Sequence, residues 1–428
     1  MFELIRANRR RSAMLVAAMG FLLLALGFSV GEVWMGSGGG GVFIAVVIWI
    51  VMTLVSYYSG DRIVLAVSGA KKIDAEDHPV LHNVVEEMCI ASGMARIPDL
   101  YIIDDPAPNA FATGRDPEHA SVAVTSGLLN LLTRDELQGV IAHEIAHVRN
   151  RDVLYMMMIA VMMGTIVLLG DGARRMMFYG PRTRTSSRKD GGGGAILLVL
   201  AVLLIILAPF IAQLIYLALS RRREHLADAS GAQYSRYPEG LASALEKIGA
   251  STQKLRTATQ ATAPMYFVNP LAVTARGLKD LTATHPPLSE RIRILRSMGG
   301  MADLRAYDEA FQRVRGGAVG VVPFAAIEEA GRATAKPASP VPVPSASQPL
   351  PLPDLPGPAV PGMATLAPLA AAEAVDHAQR VRQTTDLLWK KQDYAIVDCP
   401  CETRLKIPPV HRRKKIECPH CARVHMVA

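Results

Sequence analysis

Charged residues are absent from four long apolar stretches of this 428-residue sequence, namely Ala13–Val30, Val42–Tyr58, Val153–Leu169 and Ala195–Leu219. Because half of its residues are hydrophobic, the chain does not have the composition of an ordinary soluble protein. Each stretch is close to the roughly 17–25 residues that a helix needs to cross the hydrocarbon core of a bilayer. The sequence therefore predicts a mainly α membrane protein with about four transmembrane helices.

A cleavage signal of the small-x-small kind is also absent after Val30, where a second apolar stretch follows at once. This favours an uncleaved membrane anchor over a cleaved signal peptide. Basic residues ahead of the first stretch indicate a cytoplasmic N-terminus; they are Arg6, Arg9, Arg10 and Arg11. The loop 170–194 opposes this topology, because it is rich in arginine yet would lie outside. Either the first two helices dominate the orientation, or the second two form a hairpin that does not cross fully.

Cysteine is scarce until the C-terminus. Cys89 stands alone in a helix-like stretch, His78–Ala91, where it is most simply a buried apolar side chain. The other four crowd together near the end of the chain: Cys399, Cys401, Cys418 and Cys421. In a cytoplasmic compartment such a cluster favours a metal site over two disulfides.

The stretch Asp61–Asp152 is more polar and contains short β-like runs separated by proline and glycine. These runs, Asp99–Ile103, Ala110–Thr113 and Ser121–Thr125, predict a small antiparallel sheet. The segment Thr133–Glu136 then has the residues of a capping box and predicts a helix that extends to about Asn150.

That helix contains the pattern His143-Glu144-Ile145-Ala146-His147. Two imidazoles one helical turn apart lie on the same face and can bind one zinc ion at about 2.0–2.1 Å. Glu144 lies beside them, where it can act as the general base that takes a proton from zinc-activated water and delivers it to the leaving amine. The pattern alone also arises by chance in surface helices, so its context matters.

A third ligand is predicted in the charged helical segment after the fourth apolar stretch. Glu224 supplies the carboxylate of a two-histidine, one-glutamate site, and Asp228 can accept a hydrogen bond from the far nitrogen of a zinc-bound histidine. The alternatives are a salt-bridged helix end at the membrane surface and ligation by His225, which would face about 100° away from Glu224. Two apolar stretches separate His147 from Glu224, so two crossings return both to the same membrane face.

These motifs, in this order, resemble those of the HtpX-type membrane metalloproteases, relatives of the CAAX prenyl proteases. The resemblance extends from the first apolar stretch to about Met298 and includes Asn109–Gly114, Thr125–Leu132, Glu136–Asp152, Arg223–Ala232, and Thr284–Pro287 with Arg291. It implies a zinc endopeptidase of the bacterial inner membrane, with its active site facing the cytoplasm, in heat-shock quality control of misfolded or unassembled membrane proteins. By the same resemblance His143, His147 and Glu224 are ligands and Glu144 is the base.

Two further roles come only from the resemblance. Asn109, Ala110 and Phe111 correspond to an edge strand beside the cleft, where a substrate peptide adds as a strand. His285 and Arg291 correspond to a histidine and an arginine that can contact the tetrahedral oxyanion. The alternatives are an ordinary asparagine turn before a strand, a helix cap at His285, and an ion pair of Arg291 with Glu290 or Asp228.

Residues after about 300 fall outside the resemblance. From Pro337 to Pro361 the composition changes to Pro, Ala, Ser and Val, which is typical of a semi-extended linker. A short helix, Ala371–Trp389, precedes the four clustered cysteines, whose arrangement resembles a zinc ribbon with one structural zinc ion. The first pair is tightly spaced, so a histidine could replace one cysteine; the candidates are His411, His420 and His425.

The sequence thus predicts four parts: 1–60, two transmembrane helices; 61–300, an α+β metalloprotease domain of the zincin type that includes the membrane segments 153–169 and 195–219; 301–370, a linker; and 371–428, the helix and zinc-ribbon-like module. The expected partners are protein or peptide substrates and the bilayer. The basic tail module has an adaptor or anionic molecule as a candidate partner, with nucleic acid the less favoured. The alternative function is an inactive membrane anchor that displays this module, but Glu144 and all the ligands are present.

Overall fold

The structure is a computed structural model that describes residues 2–158, 221–258, 262–268, 286–317, 319–335, 367–401, 403–411, 415–421 and 423–426. Its helices are α1 Phe2–Met35, α2 Gly38–Val67, α3 Pro79–Ser92, α4 Ser126–Leu131, α5 Arg134–Arg149, α6 Arg221–Ser235, α7 Pro238–Ala250, α8 Leu288–Arg296, α9 Leu304–Arg315, α10 Phe324–Ala335 and α11 Ala367–Lys391. Its strands are β1 Lys71–Ile73, β2 Asp99–Ile103, β3 Ala110–Gly114, β4 Ala120–Thr125, β5 Ala395–Asp398, β6 Arg404–Ile407, β7 Lys415–Glu417 and β8 Val424–Met426.

Helices α1 and α2 form a tightly packed hairpin. Ser37 begins α2, where its hydroxyl accepts a hydrogen bond from the Gly40 amide. Glycines face one another across the pair, and a Cβ added to Gly31 would lie 2.6 Å from the Cα of Gly41. Such backbone-to-backbone contact is how small residues bring membrane helices together.

Helix α2 is long and apolar enough to cross a membrane, and only 17% of its most apolar part is buried. Large side chains are exposed along it: Phe43, Val47, Ile50, Val51, Leu54 and Tyr58. Within the described part of the chain α2 alone meets this criterion, since the apolar part of α1, Val16–Glu32, is shorter. The predicted spans 153–169 and 195–219 lie outside the described residues except for 153–158, so the prediction of four spans stays a prediction.

The four strands of the first sheet lie in the order β1-β2-β4-β3. The pairs β1–β2 and β3–β4 are antiparallel, as predicted, but β2 and β4 are parallel, with Leu100 opposite Val122. The prediction of a purely antiparallel sheet was therefore wrong. Because β3 forms its hairpin on the outer side of β4, β4 enters next to β2 and β3 becomes an edge strand.

Helix α5 lies at the centre of the core. Its predicted capping box is confirmed: the Thr133 hydroxyl accepts from the Glu136 amide at 3.3 Å, and the Glu136 carboxylate accepts from the Thr133 amide at 2.8 Å. Helices α3, α6 and α7 pack around it. Gly139 lets α7 approach closely, because a Cβ there would lie 2.7 Å from the backbone nitrogen of Leu241.

The prediction that 301–370 is a linker was wrong for its first part, because α9 and α10 are packed helices. One face of α9 is buried: Ala306, Tyr307, Ala310 and Phe311. The Asp308 carboxylate, also on α9, accepts hydrogen bonds from the amides of Val321 and Val322 at 2.7 and 2.9 Å. The sequence contains the apolar spacing of this helix, but the many charged residues between the apolar positions made the segment look like a linker.

The C-terminal segment resumes at α11, which covers the predicted helix Ala371–Trp389. Leu387 on α11 belongs to the same buried core as α3 and α5. Beyond it, β5–β6 and β7–β8 are two separate antiparallel hairpins. The Pro-rich segment 337–361 lies outside the described residues.

Candidate active site and metal centre

Helix α5 places two imidazoles side by side in the core. The Nε2 atoms of His143 and His147 are 3.1 Å apart, and both side chains are almost fully buried. The one-turn spacing of the two residues causes this, because it puts them on the same helix face. Their ring centroids are 4.7 Å apart with the rings nearly perpendicular, so both Nε2 atoms point to one spot.

Helix α6 brings the predicted carboxylate to the same spot. Glu224 Oε2 lies 3.7 Å from His143 Nε2, and Glu224 Oε1 lies 3.7 Å from His147 Nε2. One ligand atom from each of the three residues lies within 4.8 Å of the other two. The rival ligand His225 is turned elsewhere, with its Nδ1 3.0 Å from the Tyr307 hydroxyl and its ring against Phe311.

Each imidazole donates its far N–H to a buried carboxylate. His143 Nδ1 lies 2.9 Å from Asp228 Oδ1, and His147 Nδ1 lies 3.2 Å from Asp152 Oδ2. These bonds fix the tautomers, so that in the neutral rings both Nε2 atoms carry a lone pair. Asp152 was missed from the sequence, where its signal is an acidic residue at the turn that ends the histidine helix.

Arg291, from α8, is fully buried against these carboxylates. Its Nε and Nη2 donate to the two oxygens of Asp228 at 2.8 and 2.6 Å, and its Nη1 lies 3.7 Å from Glu224 Oε2. Burial would raise the pKa of Asp228, but the charge of Arg291 and the His143 hydrogen bond hold that pKa well below its usual range. Of the contacts considered from the sequence, the ion pair with Asp228 is therefore the one present.

Glu144 is buried next to the two histidines. Burial raises its pKa to about 7, and the charge of Glu224 acts in the same direction, while His147 and the Ala112 backbone amide oppose the shift. Ala112 lies on the edge strand β3, so the Glu144 carboxylate connects helix α5 to that strand. A carboxyl group with a pKa near neutrality can both accept and release a proton at physiological pH.

The two imidazoles differ electrostatically. Burial lowers the pKa of His143 to about 4, with the Asp228 hydrogen bond opposing the shift. Burial acts on His147 in the same sense, but its hydrogen bond to Asp152 and the charge of Glu224 raise its pKa to about 9.

The donor set fits a zinc ion. Two nitrogen ligands at about 2.0–2.1 Å from a tetrahedral zinc lie about 3.3 Å apart, close to the 3.1 Å between the two Nε2 atoms. Two facing lone pairs at this distance would repel each other, so a cation has to lie between them, either a proton on His147, whose pKa is raised to about 9, or a metal ion. Two histidines, one carboxylate and carboxylate partners for both imidazoles are the pattern of catalytic rather than structural zinc.

Part of the free edge of β3 is covered by the segment 262–268 of the same chain. The Phe267 amide donates to the Ala110 carbonyl at 2.8 Å, and the Asn109 side chain binds the carbonyl and amide of Val268 at 2.7 and 3.2 Å. Phe111 is buried against Tyr266, and the Phe267 ring packs on His143 with centroids 4.9 Å apart. The contact of segment 262–268 with β3 was not predicted, and His285 lies outside the described residues.

The four C-terminal cysteines form a second candidate metal centre. Cys399 and Cys421 Sγ are 3.4 Å apart and Cys401 and Cys418 Sγ 3.7 Å, far beyond a disulfide bond and near the about 3.8 Å between two thiolates on one tetrahedral zinc. Hydrogen bonds with Thr403 lower the pKa of Cys401 to about 5. Among the described histidines considered as substitutes, His425 contacts the cluster, 3.2 Å from Cys399 Sγ.

A sequence model of peptidase family M48 matches residues 75–299, which include every residue of the histidine–glutamate cluster. The chain belongs to peptidase family M48. This M48 peptidase is 46% identical over 298 residues to a protein named Protease HtpX homolog from Dictyoglomus turgidum, with 70% of this chain and 95% of the relative covered. It is 44% identical over 300 residues to a protein of the same name from Caldanaerobacter subterraneus subsp. tengcongensis, with 70% and 98% covered.

A solved structure, that of S. mikatae Ste24p, is also similar, at 22% identity and a TM-score of 0.37, with 72% of this chain and 67% of that chain covered. The family match and the relatives confirm the resemblance drawn from the sequence. The M48 peptidase is accordingly a membrane-associated zinc metalloprotease, with proteins as its substrates.

Proposed function

We propose that this M48 peptidase is an integral-membrane endopeptidase that cleaves misfolded or unassembled membrane proteins on the cytoplasmic side of the bacterial inner membrane. The observation that carries the enzymatic part is the convergence of His143, His147 and Glu224 within 4.8 Å, with Glu144 buried beside them. The quality-control role is supported by the likeness to proteins named Protease HtpX homolog.

In this proposal His143, His147 and Glu224 hold the catalytic zinc ion. When bound, zinc supplies a Lewis acid that acidifies water and polarises the peptide carbonyl. Asp228 and Asp152 keep the imidazoles in the ligating tautomer by accepting hydrogen bonds from their Nδ1–H groups. The surrounding core excludes bulk water, so these charged groups interact strongly.

Glu144 is the proposed general base. Its carboxylate takes a proton as water attacks the peptide carbonyl, and the same group then gives the proton to the leaving amine. The Ala112 amide steadies the ionised form by hydrogen bonding, and it also joins the base to the strand beside which the substrate is expected to lie.

Arg291 is proposed to position the site through Asp228 and Glu224. Its bidentate bond to Asp228 fixes the carboxylate that orients His143, and such a fork is rigid. Contact with the oxyanion would require its Nη1, the guanidinium nitrogen nearer Glu224, to reach the substrate. His285 keeps its predicted oxyanion role as a proposal.

We further propose that a substrate peptide adds as a strand along β3, in the manner expected for Asn109, Ala110 and Phe111. A peptide that bonds to the Ala110 carbonyl has to displace the Phe267 amide, which occupies it in this structure. Phe111 then supports the strand from the core rather than touching the substrate, because its side chain is fully buried.

The proposed membrane topology rests on charge and on α2. The arginines at the start of α1 favour a cytoplasmic N-terminus, and the exposed apolar side chains of α2 suit contact with lipid. Two crossings bring the chain back to the cytoplasm, where β1 follows directly. The proposal keeps the remaining two spans, 153–169 and 195–219.

The proposal also assigns a second, structural zinc ion to Cys399, Cys401, Cys418 and Cys421. All four Sγ atoms lie within 4.8 Å of one another, and Cys399 and Cys418 are buried. A closed four-thiolate site leaves no position for a substrate, which suits a structural role.

The enzymatic proposal is tested with detergent-purified chain, stripped of metal and reloaded with zinc, on an unfolded protein substrate. Glu144→Gln is expected to lower cleavage about 100-fold or more while zinc content stays that of the wild type. Glu118→Gln, an exposed change of the same chemistry, is the matched control and should cleave normally. Equal cleavage by Glu144→Gln and wild type would refute the role of the base, and inactivity of zinc-loaded wild type would favour the non-catalytic anchor.

A further inference from the structure

Among the side chains of α11 that the structure describes, three are buried against the catalytic domain. Arg380, Thr384 and Leu387 are 2%, 0% and 1% exposed, and their spacing places them on one face of the helix. Leu387 packs into the core that includes α5. A helix that only tethers a mobile module would leave such a face exposed to water.

Arg380 covers the junction at which the active-site helix begins. Its Nη1 donates to the Leu132 carbonyl at 2.5 Å. Leu132 is the C-cap of α4, where carbonyl groups lack helical partners and a cation is favourable. The next residue, Thr133, is the N-cap of α5, the helix of His143, Glu144 and His147.

Thr384 contacts His78, the residue that caps the N-terminus of a second helix, α3. His78 caps α3, and its Nδ1 accepts a hydrogen bond from the Leu81 amide at 3.1 Å. In the neutral ring Nε2 therefore carries the proton and donates it to the Thr384 hydroxyl at 3.1 Å. Thr384 in turn donates to the Arg380 carbonyl at 3.0 Å, so α11 is bonded to two helices of the catalytic domain.

The cysteine module packs on the other face of α11. Asp386 pairs with Arg404 and lies 3.8 Å from Lys406, and the Lys406 ammonium lies over the Trp389 ring. The described part of the module has little apolar core of its own, and its buried residues are Cys399, Leu405, Ile407 and Cys418. Because two-stranded hairpins are marginal alone, bound metal has to supply most of their stability.

We propose that residues 367–426 form an intramolecular clamp on the catalytic domain, in which α11 secures the Leu132–Thr133 junction and a thiophilic divalent ion on the four cysteines keeps the clamp folded. The metal part rests on the second ion of the proposed function. The partner of this segment is therefore its own catalytic domain, and the metal on the cysteines stabilises the start of the active-site helix.

The clamp is tested by cutting the chain between the catalytic domain and helix α11. The recognition sequence of a site-specific protease replaces residues within 337–361 of the full chain, in a Glu144→Gln background that prevents self-digestion. After cleavage in detergent, the C-terminal fragment should stay with the catalytic domain during gel filtration. Separation of the fragments in nicked, zinc-loaded protein would overturn the proposal.

Arg380→Ala should release the fragment about tenfold faster, because it removes the bond to Leu132. Arg382→Ala is the matched control, since Arg382 is exposed on the same helix. Equal release rates for the two variants would contradict the contribution of Arg380. Faster amide exchange of residues 126–133 in Arg380→Ala alone is the second expected result.

The metal part has a separate readout. The double variant Cys418→Ser, Cys421→Ser should lower zinc content from about two to about one ion per chain and speed both fragment release and amide exchange at 126–133. Unchanged zinc content would refute the second ion itself. A loss of one zinc with release and exchange as in wild type would leave that ion in place but overturn its role in the clamp.

Discussion

The two candidate metal centres are alike in size and opposite in surroundings. In both, the ligand atoms lie within 4.8 Å of one another. The histidine–glutamate centre lies on helices in the main core, with all three ligands buried. The cysteine centre lies between two hairpins, where Cys421 is exposed and Cys401 partly so. The packing of the main core holds the ligands of the first centre in place, whereas the hairpins around the second centre depend on the metal ion to hold them together.

Their hydrogen bonds show the same difference. Around the first centre, side chains from distant parts of the sequence meet: Asp228 orients His143, and Arg291 holds Asp228. Around the second, the bonds are local turns of the backbone. The Cys399 amide donates to the Thr403 carbonyl at 2.9 Å, and the Cys418 amide to the Arg423 carbonyl at 2.8 Å. A site made by long-range packing can persist without metal, while one made by short turns cannot.

The largest expected effect comes from removing both ions with a chelator. Peptidase activity should disappear, yet amides in the buried middle of α5, 140–148, should remain protected from hydrogen exchange because that part of the helix is packed into the core. Amides of β6 and β7 should exchange at least about tenfold faster, since their hairpins lose the metal. Readdition of zinc should reverse both changes. Equal loss of protection in α5 and the hairpins would erase the distinction between the two centres.

Arg291→Met should be the most damaging single change. It leaves the carboxylates of Asp228 and Glu224 buried with their cation removed, at a cost of about 3–5 kcal/mol in the free energy of unfolding. Denaturant unfolding of the zinc-loaded protein measures it. Arg293→Met, exposed on the same helix, is the control. Similar unfolding of the two variants would show that the catalytic centre does not depend on this ion pair.

Asp228→Asn should affect one centre only. Zinc affinity at the histidines should fall about 10–100-fold, because His143 loses its charged partner, while the cysteine ion remains bound. Asp152→Asn should cost less, since its bond to His147 is 3.2 Å long against 2.9 Å for the bond of Asp228 to His143. Competition with a chelator of known affinity measures both. Loss of both ions together would argue that the centres are not independent.

The smallest expected effect is a pH dependence of the unfolding free energy that arises at His78, where the catalytic domain contacts helix α11. Burial lowers the pKa of His78 to about 4 from 6.5. Above pH 6.5 neither state binds the proton, so His78 contributes nothing; between 6.5 and about 4 only the unfolded state binds it, and stability falls as the pH falls.

His78→Asn should remove about 1–3 kcal/mol of this pH dependence, measured as the difference in unfolding free energy between the two ends of that range. Asparagine can still cap α3 but is too short to keep the bond to Thr384, so stability at neutral pH should fall only by the contribution of one hydrogen bond, about 1 kcal/mol. His82→Asn, on the same helix, is the control. An unaltered pH dependence in His78→Asn would exclude His78 as its source.

The sequence predicted what depends on short spacing. The capping box of α5, the one-turn histidine pair and the helix that holds Glu224 and Asp228 follow from residues within a few turns of one another. Their approach across the fold was suggested by the resemblance and by the two intervening apolar stretches. Arg291 was foreseen as a residue near the site, with its pairing left open.

Contacts that depend on distant packing were not predictable. Nothing local marks Phe267 as the residue that bonds to the edge of β3. The parallel β2–β4 pair was missed because alternation along a strand does not reveal the direction of its neighbour. The docking of α11 was missed because a Pro-rich stretch before a helix suggests a tether.

The attachment of α11 also changes the physical meaning of the segment before it. Helix α10 ends at Ala335 and α11 begins at Ala367, and both place residues in the same core, Ala326 and Leu387. The residues between them therefore connect two points of one core. The entropy of closing a flexible loop rises only with the logarithm of its length, by about 0.6 kcal/mol for each doubling. Evolution can lengthen, shorten or insert sequence there at little thermodynamic cost.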